Sequence, residues 1–333
     1  MPNSEVFIPD TIGIIVGRDL VGDALIKLPF VRALRNAFPK ARIDWITSQG
    51  STAYAGTLRE ATEGLIDTVH EVPDWINSPS NSLRPPFFDL LIDTRNRWRL
   101  ALTARQVPHG IFIAPAMRFL FSGRRPPLFA PKPAHIVDQL LRLVELAAGY
   151  RPASTGILHV PPELQRKARV ILPAGRAYVG IAPGAGNPVK IWPRYKFEKV
   201  AQAQAAKDRV PVFILGPQEL DWLDELTANV PGALFPLQDC DAWGTAQLTI
   251  DHTLAIAACL DVAVANDSGV GHMLAAMDCR LISLFGPTSP TKLAPRVTYD
   301  TVINAQDFGS THMNAIPWEI VDQAVDGALK NTL

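Results

Sequence analysis

Short apolar runs alternate along this chain with longer stretches whose apolar residues return at helical spacing. In the first half, residues 11–17 (TIGIIVG), 42–47 (RIDWIT), 66–72 and 87–93 (FFDLLID) predict strands. Between the first two, Ala24, Leu25, Leu28, Val31, Leu34 and Phe38 mark one face of a helix that Pro39 stops. A short helix is expected over 53–58, and an amphipathic one over 135–148, closed by Gly149. The second half keeps the rhythm, with strands expected over 178–183, 210–216, 233–237, 262–265 and 281–285. Its helices are expected over 195–207, 219–228 and 248–259, from near Val270 to Ala276, and over 317–329. Alternation at this pace predicts an α/β fold in which parallel sheets are wrapped by helices. A Pro-rich stretch over 151–162 reads as an interdomain linker, which makes two Rossmann-like domains the economical architecture.

Composition changes this picture little. At 333 residues and 47% hydrophobic, the chain has the size and content of about two globular domains. A formal net charge of zero gives no argument for a nucleic-acid partner. Cys240, Cys259 and Cys279 form no CxxC pattern, no HExxH occurs, and reduced thiols in a cytoplasm are the expectation. The first ten residues lack a signal-peptide core, and no apolar run approaches a membrane span. A cytoplasmic protein is therefore expected, with peripheral membrane contact left open. One segment stands apart: between Arg84 and Lys132 nine basic residues face two acids, interleaved with Trp98, Phe112, Phe119, Leu120, Phe121 and Phe129. Either this is a solvated face over core residues, or it is a surface for an anionic or lipid-linked acceptor.

Chemistry concentrates where strands give way to helices. Asp23, in Gly22-Asp23-Ala24, is either a first-turn acid facing the helix dipole or a general base for an attacking hydroxyl. The turn Pro183-Gly184-Ala185-Gly186 leads to Lys190-Ile191-Trp192-Pro193. Its glycines permit close backbone approach to phosphates and Lys190 supplies a charge, although neither a GxGxxG fingerprint nor a P-loop is present. Gln218 or Glu219, at a strand end, could accept bonds from a ribose. Asp267, Ser268, Gly269, Gly271 and His272 stand between an apolar strand and a helix, the arrangement of an anion site at a helix N-terminus. Asp239-Cys240-Asp241 matches a DxD metal pattern that arises often by chance, and no metal is expected there.

Four motifs along the chain stand in an order that resembles glycosyltransferase family 9, the bacterial heptosyltransferases. They are Gly22-Asp23 with LPFVRALRNAFPKARIDWIT, Lys190-Ile191-Trp192-Pro193, Asp267-Ser268-Gly269-Val270-Gly271-His272, and Leu284-Phe285-Gly286-Pro287-Thr288-Ser289-Pro290. The match covers most of the chain, with gaps around 77–84 and 238–249. The resemblance implies the GT-B fold: an acceptor domain over 1–155, a nucleotide-sugar domain over 156–316, and a terminal helix over 317–333 packing back towards the first domain. It implies inverting transfer of a sugar, commonly from ADP-heptose, to lipopolysaccharide core or a related glycan, with no metal cofactor. Asp23 becomes the catalytic base. Gly184, Ala185, Gly186, Lys190, Glu219, Asp267, Ser268, Gly269, Gly271 and His272 become donor contacts, and Ala185 stands where the family often has a hydroxyl. Arg95, Arg97 and Arg124 are the candidate contacts to an anionic glycan or glycolipid acceptor, and the inner membrane is where such a glycolipid would be met. A nucleotide-sugar epimerase and a non-catalytic nucleotide-sugar-binding protein are the rival readings.

Overall fold

The computed structural model describes residues 7–77, 86–245 and 249–330. Arg84 and Leu248 of the expectations above lie outside them. The described chain divides into two compact units, Met1–Thr155 and Gly156–Leu333. Each is built on a five-stranded sheet.

In the first unit the strands are β1 (Thr11–Val16), β2 (Arg42–Thr47), β3 (Thr68–Glu71), β4 (Phe88–Asp93) and β5 (His109–Ile113), in spatial order β3-β2-β1-β4-β5. Every pairing is parallel. β1 is central, and residues 12–16 are fully or almost fully covered, which is why its sequence is apolar without alternation. Two helices, α1 (Val21–Ala37) and α2 (Ile136–Ala148), pack against each other. Gly149 closes α2 in the left-handed region, with its N–H donating to the Glu145 carbonyl at 2.8 Å.

The second unit repeats the plan with β6 (Tyr178–Ala182), β7 (Val210–Phe213), β8 (Val262–Asn266), β9 (Leu281–Phe285) and β10 (Asp300–Asn304), in order β10-β9-β8-β6-β7 and again all parallel. Its helices include α3 (Pro162–Ile171), α4 (Arg194–Ala205), α5 (Ile250–Ala257), α6 (Gly269–Ala276) and α7 (Trp318–Lys330). In both sheets the chain first builds outward on one side and then crosses to the other. The crossing falls between β1 and β4 in one unit and between β6 and β8 in the other. At such a point the loops leaving the carboxyl ends of the two strands diverge and open a crevice.

Several expectations need correction. Residues 233–237 do not form a strand; only Leu234 bridges to Val212, because prolines at 231 and 236 bracket the segment and remove ladder donors. The short helix over 53–58 reduces to a single 3₁₀ turn, Ala53–Ala55. β5 and β10 were not foreseen; both are short edge strands with one sheet neighbour each. The terminal helix was expected to pack towards the first domain. Instead Val321, Val325 and Ala328 are fully buried in the second unit's own core, against α4, β8 and β9. Its polar side is held there too: Asp326 takes Lys207 Nζ at 2.9 Å and pairs with Arg209, while Asp322 takes Lys207 at 2.7 Å.

Candidate functional site

The second unit's site grows from the carboxyl ends of β6, β7 and β8. β8 ends in Asn266, whose side chain is almost fully buried and does two things. Its Nδ2 donates to the Pro183 carbonyl at 2.7 Å, and its Oδ1 accepts from the Trp192 N–H at 3.1 Å. One amide therefore ties the end of β8 to both loop segments that follow β6. Trp192 is completely buried, its indole N–H donating to the Ile316 carbonyl at 3.2 Å. That anchor fixes the 3₁₀ turn Pro188–Lys190, which opens on Asn187 accepting from the Val189 N–H at 3.2 Å. Lys190, two residues before the anchor, is thereby presented at a set position.

Lys190 Nζ lies 2.7 Å from Asp267 Oδ2, and the Thr288 hydroxyl donates to the same oxygen at 2.7 Å. The Asp267 side chain is 7% exposed and that of Lys190 26%. Asp267 thus sits beneath the lysine, and its backbone N–H donates to the Leu284 carbonyl at 3.1 Å. Next along, Ser268 caps α6, its hydroxyl accepting from the Gly271 N–H at 3.5 Å. The first-turn N–H groups of a helix lack partners within it, so this end favours an anion. A Cβ on Gly271 would stand 3.2 Å from the Asn266 carbonyl oxygen, so that glycine lets α6 approach β8. On Gly269 or Gly186 a Cβ would meet nothing within 4 Å. His272 is buried in the first turn of α6.

Glu219 has a different setting from the one its sequence position suggests. It is 5% exposed, and its Oε2 accepts from the Gly216 N–H at 3.0 Å. A Cβ on Gly184 would come 2.6 Å from the Glu219 carboxyl atoms. Gly184 is therefore required by Glu219, which brings the ends of β6 and β7 together. Burial pushes the Glu219 carboxyl above its ordinary value, while backbone N–H groups pull the other way. Ala185 is buried beside it, so its side chain faces protein.

In the first unit Asp23 lies exposed in the opening turn of α1, after β1. Asp93, at the end of the neighbouring β4, is fully buried and bound on both oxygens by Arg95, at 2.8 and 3.0 Å. Burial raises the Asp93 carboxyl and the guanidinium lowers it, with burial ahead. Arg95 is thus committed to Asp93. Arg124 is committed as well: it donates to the Leu146 and Ala147 carbonyls at the end of α2, and its guanidinium lies over the Phe7 ring. Of the three acceptor candidates, Arg97 is exposed. Asp239 caps the short helix Cys240–Trp243, accepting from the Ala242 N–H at 3.1 Å. Among the described residues no cluster of three or more His, Cys, Asp or Glu side chains could hold a metal ion. No helix among them is long and apolar enough to cross a membrane.

Within the second unit, then, the structure brings Lys190, Asp267 and the Ser268–His272 turn together, and places Gly184 with Glu219. Sequence reasoning missed Asn266 and Thr288. The signal for Asn266 was a lone amide closing an otherwise apolar strand. Thr288 lay inside a quoted motif with no role given to it.

Comparison with known proteins adds to this geometry. The model of "Glycosyltransferase family 9 (heptosyltransferase)" matches residues 78–315. A curated relative, lipopolysaccharide heptosyltransferase 3 of Escherichia coli K12, is 26% identical over 286 residues, 80% of each chain. Among solved structures, a family 9 glycosyltransferase from Veillonella parvula superposes with a TM-score of 0.74 at 17% identity, covering 99% of both chains. E. coli heptosyltransferase WaaC, solved with ADP, gives 0.67 at 18% identity over 96% of this chain and 99% of its own.

Proposed function

The chain belongs to glycosyltransferase family 9, and from that membership we propose that it moves a heptose from an ADP-heptose donor to a lipopolysaccharide-core or related glycan acceptor. That it is a glycosyltransferase follows from the family, which sets aside the epimerase and binding-protein alternatives. The donor and acceptor are the proposal. One observation carries it: a fixed lysine beside a helix N-terminus at the β6/β8 crossing, built from the motif residues themselves.

Departure of the nucleotide diphosphate leaves negative charge on phosphate oxygens and positive charge on the sugar ring. Lys190 and the α6 first-turn N–H groups meet the departing charge at groups already in place. Asp267 and Thr288 position Lys190, and a buried carboxylate is a poor neighbour for phosphate, so Asp267 acts through the lysine. Ser268, Gly269, Gly271 and His272 form the turn against which the diphosphate rests. Gly186 leaves room for it, and Glu219 with Gly184 shapes the ribose end. Asp23 accepts the proton of the acceptor hydroxyl as it attacks the sugar carbon from the face opposite the leaving group, which gives inversion. The scheme uses a base and fixed cations and needs no metal. Of the three candidate arginines, exposed Arg97 is the one left to meet an anionic glycan or glycolipid. The same reading puts the enzyme in the cytoplasm, in peripheral contact with the inner membrane where a lipid-linked acceptor is presented.

The test is a donor screen by thermal shift with ADP, UDP and GDP sugars, followed by transfer assays on core glycan lacking heptose. ADP-heptose should give the largest shift and support product formation. A larger shift with a UDP sugar, together with turnover from it, would replace the donor assignment.

A further inference from the structure

Four residues from Asp23 towards the body of α1 lies Lys27, and beneath both lies Asp19. The Asp19 side chain is completely buried. Its Oδ2 accepts from the Trp45 indole N–H at 3.0 Å, and its Oδ1 pairs with Lys27 Nζ. The same Lys27 Nζ donates to the backbone carbonyl of Asp23 at 3.1 Å. A second bond reinforces the turn one residue on: the Tyr54 hydroxyl donates to the Ala24 carbonyl at 2.6 Å. Tyr54 stands edge-on to Trp45 with ring centroids 4.9 Å apart. Burial, then the Asp19 charge, push the Tyr54 phenol well up, so its hydroxyl keeps its proton and remains a donor. Asp19 is itself pinned through its backbone, since its carbonyl accepts from the Ala53 N–H at 3.1 Å. The opening of α1 has no side-chain cap, because the residue at that position is Leu20. The work a cap would do, fixing the entry of the helix, falls to these side chains from below.

We propose that Asp19 and Lys27 form a positioning pair that fixes the Asp23 backbone, and through it the direction of the Asp23 carboxylate, for the proton transfer. The inference rests on Asp23 being the base. A lone lysine at position 27 would sweep a wide volume on its flexible stem and would hold the turn poorly. A buried counter-charge removes that freedom and leaves the pair neutral. Lys27 does not touch the reacting atoms; it acts through Asp23.

The pair is separable from general stability. Lys27→Met alone strands a buried carboxylate and is expected to lower both Tm and kcat. In the double variant Asp19→Asn/Lys27→Met the stranded charge is gone, and the new amide still offers an oxygen to the Trp45 indole. Tm should then return towards that of the unaltered protein. Turnover of ADP-heptose on core glycan lacking heptose should stay down by about 10- to 100-fold, with donor Kd unchanged. Lys27→Arg, which restores a cation at the end of a long stem, should recover part of kcat. Recovery of kcat together with Tm in the double variant would overturn the proposal, as would equal loss of donor binding. Asp23→Asn is the control: full turnover by that variant removes the base itself, whereas full turnover by the double variant beside an inactive Asp23→Asn removes only the pair.

Discussion

Lys190 and Asp267 show how much a single contact changes an assignment. Read as letters, both residues were donor contacts. In the structure one carboxylate oxygen is shared by Lys190 and Thr288 at 2.7 Å each, which on the proposed function makes the aspartate a positioning group. Removing a hydrogen bond to a charged group costs about 1.5–3 kcal/mol. Lys190→Ala should therefore weaken donor binding by about 10- to 100-fold in a calorimetric titration. Asp267→Asn should weaken it less but in the same direction, since the lysine loses its hold. Tighter binding by Asp267→Asn would mean that the carboxylate merely repels phosphate. Gly184 gives a second residue-scale prediction. An added methyl would stand 2.6 Å from the Glu219 carboxyl, and overpacking of this kind costs about 1–3 kcal/mol. Gly184→Ala should lower stability by that measure in denaturant titration, and a neutral result would show that Glu219 moves aside without cost.

At the scale of elements, the apolar runs forecast the central strands well because burial on both faces disfavours polar residues there unless they are partnered, as Asp44 of β2 is by Arg42 and His70. β9 runs over Leu281–Phe285 as expected, and β2 over Arg42–Thr47. The edge strands β5 and β10, short and only partly buried, went unseen, and so did the true place of α7. Nothing in the periodicity of α7 says which core its apolar face will meet. Its partner is written instead in polar groups distant in sequence: Gln204 near the end of α4, with Lys207 and Arg209 just past it, all on Asp326. Burial alone would raise the Asp326 carboxyl, but those hydrogen bonds hold it down at about 2. A carboxyl depressed in the folded state adds stability that is present above its unfolded value, near 4, and lost as pH falls through about 2. Asp326→Asn should accordingly lower stability by on the order of 1–2 kcal/mol near neutral pH, with the gap to the unaltered protein closing between about pH 4 and about pH 2. A gap that stays constant over that window would mean that packing, not charge, holds α7.

At the scale of the molecule, motif order carried the family where no one motif could. Three of the four clusters stand at the carboxyl end of a strand beside a crossing in sheet order and the fourth follows β9, and sequence patterns mark such ends by a polar break after an apolar run. What the patterns left out was which polar groups in those breaks face a ligand and which hold the others. Asn266, Glu219, Asp93 and Asp19 are all buried, and all four serve neighbouring residues. Asp23 differs from them in being exposed, as a group must be if it is to meet an incoming hydroxyl. On the proposed mechanism the labour is divided: this aspartate would make the bond-forming proton transfer while the second unit would bind the donor. Asp23→Asn keeps the size of the side chain and removes only its basicity, so transfer and donor titration of that variant test the division directly. Transfer of heptose from ADP-heptose should fall to background with donor Kd unaltered. Turnover near that of the unaltered protein, or donor affinity lost in step with activity, would contradict it.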